Sequence, residues 1–244
     1  ELFRNQLFSA WECFNVLGRI YLAHEGVNAQ LSVPKRHLAT FVQSLNAYPE
    51  CADMPLKFGV EEGVSFWKLT IKVRKQIVAD ALPDGTYDVS NVGSHLSPHE
   101  FNEAVESGAV VVDVRNNYES RIGRFEGALC PDADTFREEL ALLPQLLRGK
   151  EQEKIVLYCT GGIRCEKASS YLKHLGFANV NQLYGGIINY THEVKARGIA
   201  SKFRGKNYVF DARTHERITQ DVLAQCDQCG APCRVPPRPS PSPS

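Results

Sequence analysis

One stretch limits the fold more than any other. Ile155-Val156-Leu157-Tyr158 runs directly into Cys159-Thr160-Gly161-Gly162-Ile163-Arg164-Cys165, and a helical pattern follows. Four apolar residues in a row, with no polar alternation, read as a strand buried on both faces. Behind the loop, Ala168, Tyr171, Leu172 and Leu175 recur at helical spacing with their side chains expected inward, and Gly176 stands where such a helix would stop. A buried strand that turns through a glycine-containing loop into a helix is half of a βαβ unit. It commits this part of the chain to a parallel α/β sheet with helices on both faces. Neighbouring stretches agree. Ser97-Pro98-His99-Glu100 and Thr135-Phe136-Arg137-Glu138 are capping boxes that start helices, the second ending near Gly149. Residues 109–114 form another continuous apolar run, and residues 180–183 a further strand.

The front of the chain has a different rhythm. In VNAQLSV, Val27, Ala29, Leu31 and Val33 share one face, as in a half-buried strand, and residues 19–23 supply a partner across a turn at His24-Glu25-Gly26. Leu38, Phe41, Val42 and Leu45 then follow helical spacing. Residues 56–60 read as a short strand. WKLTIKV alternates again and predicts Trp67, Leu69, Ile71 and Val73 inward. Two strands, a helix and two more strands predict a small α+β domain of ferredoxin- or acylphosphatase-like type.

These rhythms divide the chain into an α+β domain at 1–79, a turn-rich linker at 80–95, an α/β domain at 96–200, an extension with a cysteine cluster at 201–233, and a Pro/Ser tail at 234–244 expected to be disordered. No run of about 18 apolar residues exists, so no membrane span is expected. Eight cysteines in a chain with a core and no export signal read as reduced thiols in the cytoplasm rather than a disulfide framework.

The chemistry concentrates at Cys159. The carboxyl end of a buried strand beside a helix N-terminus is where α/β folds place ligands. Loop N–H groups and the helix dipole favour negative charge there, which lowers a thiol's pKa and makes it nucleophilic. Arg164 adds a fixed positive charge, and Gly161 and Gly162 let the backbone curl around the sulfur. Cys165 stands six positions on, where nothing in the local pattern requires the two sulfurs to meet. Arg164 follows Cys159 by five residues, tight around a sulfur and cramped for a phosphate.

C-T-G-G-I-R resembles the active-site loop of rhodanese domains. Upstream, VVDVRNNYESRIGRFEGAL resembles the same domain's signature, with Asp113, Arg115, Glu119, Gly127 and Ala128 at its marked positions, and Gly185-Gly186 matches a late glycine pair. Together with HEGVN at 24–28, the basic strand at 67–75, CTGGIRCEKAS, GGIINY, GKNYVFD and a following C-x-x-C-G-x-P-C, the chain from 16 to 233 is similar to the rhodanese-like tRNA uridine hydroxylases. The resemblance implies a rhodanese-like α/β catalytic domain and oxygen-dependent 5-hydroxylation of the wobble uridine. It also implies tRNA as partner, molecular oxygen as co-substrate and Cys159 as the essential cysteine, with Asp113, Arg115 and Glu119 in support. No organic cofactor motif appears. A sulfurtransferase working through a Cys159 persulfide, and an RNA-binding module with a vestigial rhodanese fold, remain alternatives.

Cys226, Cys229 and Cys233 have zinc-ligand spacing, but a closed structural site wants four ligands and RVPPRPSPSPS follows where the similar family continues cysteine-rich. An RNA surface is expected at Lys68, Lys72, Arg74 and Lys75, where Thr70 shares their face and no acid lies between Val64 and Ala79. A second is expected at Arg204 and Lys206, with Arg197 and Lys202 nearby, where Phe203 and Tyr208 either stack bases or pack the extension. The zero net charge hides this pattern. Residues 1–79 sum to +2, 80–149 to −8 and 150–217 to +6. Counterion release follows local charge, so neutrality leaves an RNA partner open, expected on the front strand and the Cys159 side.

Overall fold

The computed structural model describes residues 1–52, 54–58, 65–226 and 228–233. The chain divides into two compact units. One is 1–79 with 211–213; the other is 80–210 with the described residues from 214 on.

In the first unit, helix α1 (Leu2–Glu12) is followed by strands β1 (Leu17–Ala23) and β2 (Gly26–Ser32), helix α2 (Leu38–Asn46) and strand β3 (Leu69–Val73). β1 and β2 form the expected hairpin, closing at Ala23↔Gly26. β3 runs parallel to β1 on its other side, giving the order β2-β1-β3. Leu7, Trp11, Ile20, Phe41, Leu45 and Ile71 build its core, with Trp11 and Phe41 edge to face at 5.3 Å. Helix α1 has no counterpart in the sequence pattern. The inward alternation does not reach Trp67: the ladder with β1 begins at Leu69, so Trp67 precedes the strand and is 79% exposed. Val73, at the ladder's last rung, is also exposed. Of the strand expected at 56–60, residues 56–58 are not extended in a sheet and 59–60 lie outside the described residues.

The second unit holds a four-stranded parallel sheet in the order β4-β8-β7-β5, from β4 (Ser94–Leu96), β5 (Val110–Asp113), β7 (Lys154–Tyr158) and β8 (Asn179–Leu183). Its helices are α3 (Pro98–Glu106), the short α4 (Asn117–Ser120), α5 (Phe136–Leu146), α6 (Ile163–His174) and α7 (Gly186–Arg197). α3 packs with α7, and α5 with α6. Both expected capping boxes form, at Ser97/Glu100 and Thr135/Glu138. Leu175 is exposed, because α6 ends at His174 and the apolar stripe ends with it. Strands β6 (Gly123–Phe125), β9 (Phe203–Tyr208) and β10 (His215–Arg217) make a small antiparallel sheet in the order β10-β9-β6. β9 thereby ties the extension to the α/β core, with Phe203 packed on Phe125 at 5.3 Å. Residues 80–95, expected as a linker, are built into this unit. Asp80 is buried, pairs with Lys167 at 2.9 Å and accepts from the Tyr87 hydroxyl at 2.8 Å. The expected disordered tail at 234–244 lies outside the described residues.

Candidate active site

The parallel strands deliver two residues that organise everything around the loop. β5 ends at Asp113 and β7 ends at Tyr158, with Cys159 next. Asp113 receives the Arg115 guanidinium through Nε at 2.8 Å and Nη2 at 2.6 Å, and the Tyr158 hydroxyl at 2.7 Å, all buried. Arg115 Nη2 also donates to the Gly123 carbonyl at 2.6 Å, which pins β6 to the same knot. Burial pushes the Asp113 carboxyl upward while the guanidinium on it pulls the other way.

A second pair frames the loop itself. Glu119, on α4, accepts Arg164 Nη1 at 2.6 Å and Nη2 at 2.9 Å, and the Thr160 hydroxyl at 2.9 Å. Burial alone would raise Glu119, but Arg164 outweighs it and holds the carboxyl below its ordinary range. The bidentate geometry fixes the guanidinium in plane as well as in position. The DVR…E signature thus supplies two separate buried ion pairs, of which only Glu119–Arg164 reaches the loop.

Cys159 has no exposed surface. The Gly162 N–H donates to its sulfur at 3.0 Å, and Cys165 and Arg164 act on its charge. Burial raises the Cys159 thiol, yet the Cys165 hydrogen bonds, the Arg164 charge and the Gly162 N–H outweigh it and bring it down to about 5. Cys159 is therefore a thiolate at neutral pH. Cys165 is pushed well up by burial and by the Cys159 charge. Cys165 lies in the first turn of α6, near enough to Cys159 to act on its charge. Gly162 adopts φ 101° to make that turn.

The loop is closed from behind by α7. Ile187 and Ile188 donate N–H groups to the carbonyls of Cys159 and Thr160 at 3.0 and 3.1 Å. Gly186, at φ 65°, leaves no room for a side chain: a Cβ would sit 2.5 Å from the Cys159 carbonyl oxygen. On the front, a Cβ at Gly161 would meet nothing within 4 Å, so the loop has space to yield.

Sequence reading missed Glu139. On α5 its side chain is 0% exposed, and neither carboxyl oxygen has a partner. Burial holds it well above the usual carboxylate range, with Arg164 opposing and Asp113, Glu119 and Cys159 adding to the rise. It is a buried, unpartnered carboxyl that holds its proton more tightly than an exposed one. The available signal was its place on the apolar stripe of Phe136, Leu140 and Leu143. An aromatic group was also missed in part. Phe210 lies over the Arg164 guanidinium at 5.7 Å, Tyr208 packs on Phe210 at 5.1 Å, and Tyr118 of α4 packs on Tyr208 at 5.1 Å.

The other expected residues fare differently. Lys68, Lys72, Arg74 and Lys75 are exposed and make no ion pair among the described residues. Arg204 and Lys206 are already engaged within the fold. Arg204 is held by Asp221 at 2.8 Å and Glu126 at 3.4 Å, and Lys206 is buried with its Nζ on His215 at 3.1 Å, because β9 lies between two strands. Phe203 is core; Tyr208 is half-buried. Cys226, Cys229 and Cys233 form no disulfide and sit around a tight turn in which the Gly230 N–H donates to the Cys226 carbonyl at 2.8 Å. Among the described residues no group of three or more His, Cys, Asp or Glu side chains is arranged to hold a metal ion. No helix among them is long and apolar enough to cross a membrane.

Comparison with known proteins covers both units. Residues 1–77 match the UPF0176 acylphosphatase-like domain, 97–193 the rhodanese-like domain and 204–238 the rhodanese C-terminal region. A tRNA uridine(34) hydroxylase of Leptospira interrogans is 56% identical over 232 residues, which are 94% of this chain and 63% of that protein. One of Salmonella schwarzengrund is 48% identical over 233 residues, 94% of this chain and 67% of that protein. The chain thus spans less than two thirds of the Leptospira relative. Among solved structures, a rhodanese-like domain from Anabaena matches with TM-score 0.37 and 19% identity over 47% of this chain and 80% of that one.

Proposed function

This chain belongs to the tRNA uridine(34) hydroxylase family, and on that premise we propose that it hydroxylates carbon 5 of uridine 34 in tRNA with molecular oxygen as co-substrate. The carrying observation is Cys159 at the end of a buried strand, its sulfur met by the Gly162 N–H at 3.0 Å, in a loop whose Arg164 is fixed by Glu119.

Uracil is electrophilic at carbon 6. The Cys159 thiolate adds there, the C5–C6 double bond opens, and the electron pair moves onto carbon 5 and the adjacent carbonyl oxygen. Carbon 5 is then the nucleophile that takes one atom of O2 as its hydroxyl, while the other atom leaves as water with two electrons and two protons from a thiol reductant. Loss of its proton and expulsion of the thiolate restore the double bond. Arg164 and the loop N–H groups stabilise the thiolate as it leaves. Asp113 and Arg115 fix the strand ends, Glu119 holds Arg164 and Thr160, and the space at Gly161 lets the loop admit the ring. Lys68, Lys72, Arg74 and Lys75 would follow the tRNA backbone. Such an enzyme works in the cytoplasm, where tRNA is.

A short loop around a thiolate also suits sulfane-sulfur transfer, and one experiment separates the two. A strain lacking the gene is complemented with wild type or with Cys159→Ser, and its digested tRNA is examined by mass spectrometry for hydroxyuridine at position 34. Wild type restores the modification and the variant leaves it absent. Full hydroxylation with Cys159→Ser sinks the proposal. Wild type that leaves hydroxylation unrestored, but raises tRNA thiolation or thiosulfate turnover, moves the chain to the sulfurtransferases.

A further inference from the structure

A thiolate loop by itself does not explain why a nucleobase should settle there. The loop is polar: it offers N–H groups, a guanidinium and a sulfur, all of which suit an inorganic anion. A pyrimidine needs a flat apolar surface as well. A cluster of three aromatic rings stands beside the loop. Phe210 lies over Arg164 with its ring centre 5.7 Å from Cζ. Tyr208 meets Phe210 edge to face at 5.1 Å, and Tyr118 meets Tyr208 in the same way at 5.1 Å. None of the three is fully buried, although a full core lies one strand away in Phe125, Phe203 and Tyr190. Each is held in place. Asn116 donates to the Tyr118 hydroxyl at 2.9 Å, β9 carries Tyr208 at its end, and Glu119 fixes the guanidinium beneath Phe210.

We infer that Tyr118, Tyr208 and Phe210 form a stacking wall that holds the target pyrimidine ring against the Cys159 loop. The inference deepens the hydroxylase reading and depends on it. The wall comes from two places, α4 and the segment after β9. The extension beyond the α/β sheet is thus part of the substrate site rather than a packing strap. The basic character of β9 is incidental, since Arg204 and Lys206 are taken up by Glu126, Asp221 and His215. Of the two aromatics that the sequence places among those bases, Phe203 faces the core and Tyr208 the wall.

The test uses the full chain and two fluorescent anticodon stem-loop RNAs, one with uridine at position 34 and one with an abasic site there. Binding is read by anisotropy. Stacking on one aromatic surface makes the wild type prefer the uridine loop by roughly tenfold. Phe210→Leu and Tyr118→Leu, made separately on different elements, each bring the ratio toward one while binding of the abasic loop stays unchanged. Tyr208→Phe keeps the preference. Thermal melting checks the fold of each variant, and if one leucine variant unfolds the other still decides the test. A wild-type preference that survives both leucine variants overturns the wall and leaves the hydroxylase reading standing. A wild type that hydroxylates tRNA yet binds the two loops equally does the same. A wild type that neither hydroxylates tRNA nor binds either RNA removes the hydroxylase reading itself, and the wall with it.

Discussion

The two units use charge in opposite ways. Around the loop of the second unit, charges are buried and matched one to one: Asp113 with Arg115, Glu119 with Arg164, Asp80 with Lys167. On β3 of the first unit and just beyond it, Lys72, Arg74 and Lys75 are exposed and make no ion pair among the described residues; the Arg74 guanidinium lies over the Tyr21 ring at 5.7 Å. A buried pair acts at contact distance and fixes one geometry. Exposed charge acts through solvent, over about 8–10 Å at ordinary salt, and fixes none. The first suits a site that must hold a thiolate and a guanidinium in register. The second suits a surface that follows a phosphate backbone. Stability should therefore depend steeply on charge in the second unit and hardly at all on charge at β3.

The steepest test is Glu119→Ala. It leaves Arg164 buried without its carboxylate and the Thr160 hydroxyl without its acceptor. Breaking a buried pair from one side costs about 3–5 kcal/mol. Urea denaturation should show a loss of that size, together with loss of hydroxyuridine in complemented cells. A loss under about 1 kcal/mol would mean that the pair is solvated and that the contrast between the units is false. Gly186→Ala comes next. The variant puts a Cβ against the Cys159 and Thr160 carbonyl oxygens at a φ of 65°, and strain of this kind is worth on the order of 1–3 kcal/mol. Its readout is the same denaturation curve. An unchanged midpoint would show that α7 does not close the loop from behind.

These two positions also mark how far the sequence could be read. Ile155–Tyr158 and the loop were legible because strand, turn and helix signals lie side by side in the chain. Capping boxes were legible for the same reason. Helix α1 was not, because Glu1 makes no capping hydrogen bond and only Leu7 and Trp11 are buried along it. The rhodanese-like signature named Glu119 and Arg164 but not their bond, which spans 45 residues. Cys165 looked uninvolved because its approach to Cys159 depends on the direction of the first turn of α6. Arg204 and Lys206 looked like an RNA surface because a charge count along the chain does not show Glu126, Asp221 and His215 across it.

Glu139 breaks the pairing rule within the second unit, and its variant has a smaller, pH-dependent effect. Burial holds its carboxyl well above the ordinary carboxylate range in the folded protein, whereas in the unfolded chain it titrates at about 4.3. Between those two values the unfolded state loses a proton that the folded state keeps. Stability from this group is therefore full at low pH and declines as pH rises toward the folded value. Glu139→Gln removes the decline. The difference in urea midpoint between wild type and variant should grow in the variant's favour as pH rises above about 4.3, the unfolded value. A constant difference would mean that Glu139 is ionised and paired.

The smallest effect on stability, and the one that completes the contrast, belongs to Lys68, Lys72, Arg74 and Lys75. Exchanging all four for Gln removes exposed cations that make no ion pair among the described residues, so stability should fall by no more than the Arg74–Tyr21 contact supplies, about 0.5–1 kcal/mol. What should move is the salt dependence of tRNA binding. Each lost phosphate contact lowers the slope of log K against log salt by about 0.7 for a single strand. A variant that loses affinity at low salt but converges on wild type at high salt has lost a field rather than a fit. If the slope is unchanged, these cations touch no phosphate. If the protein loses more stability than that contact supplies, the cations of the first unit are structural after all, and the two units do not differ in the way their burial implies.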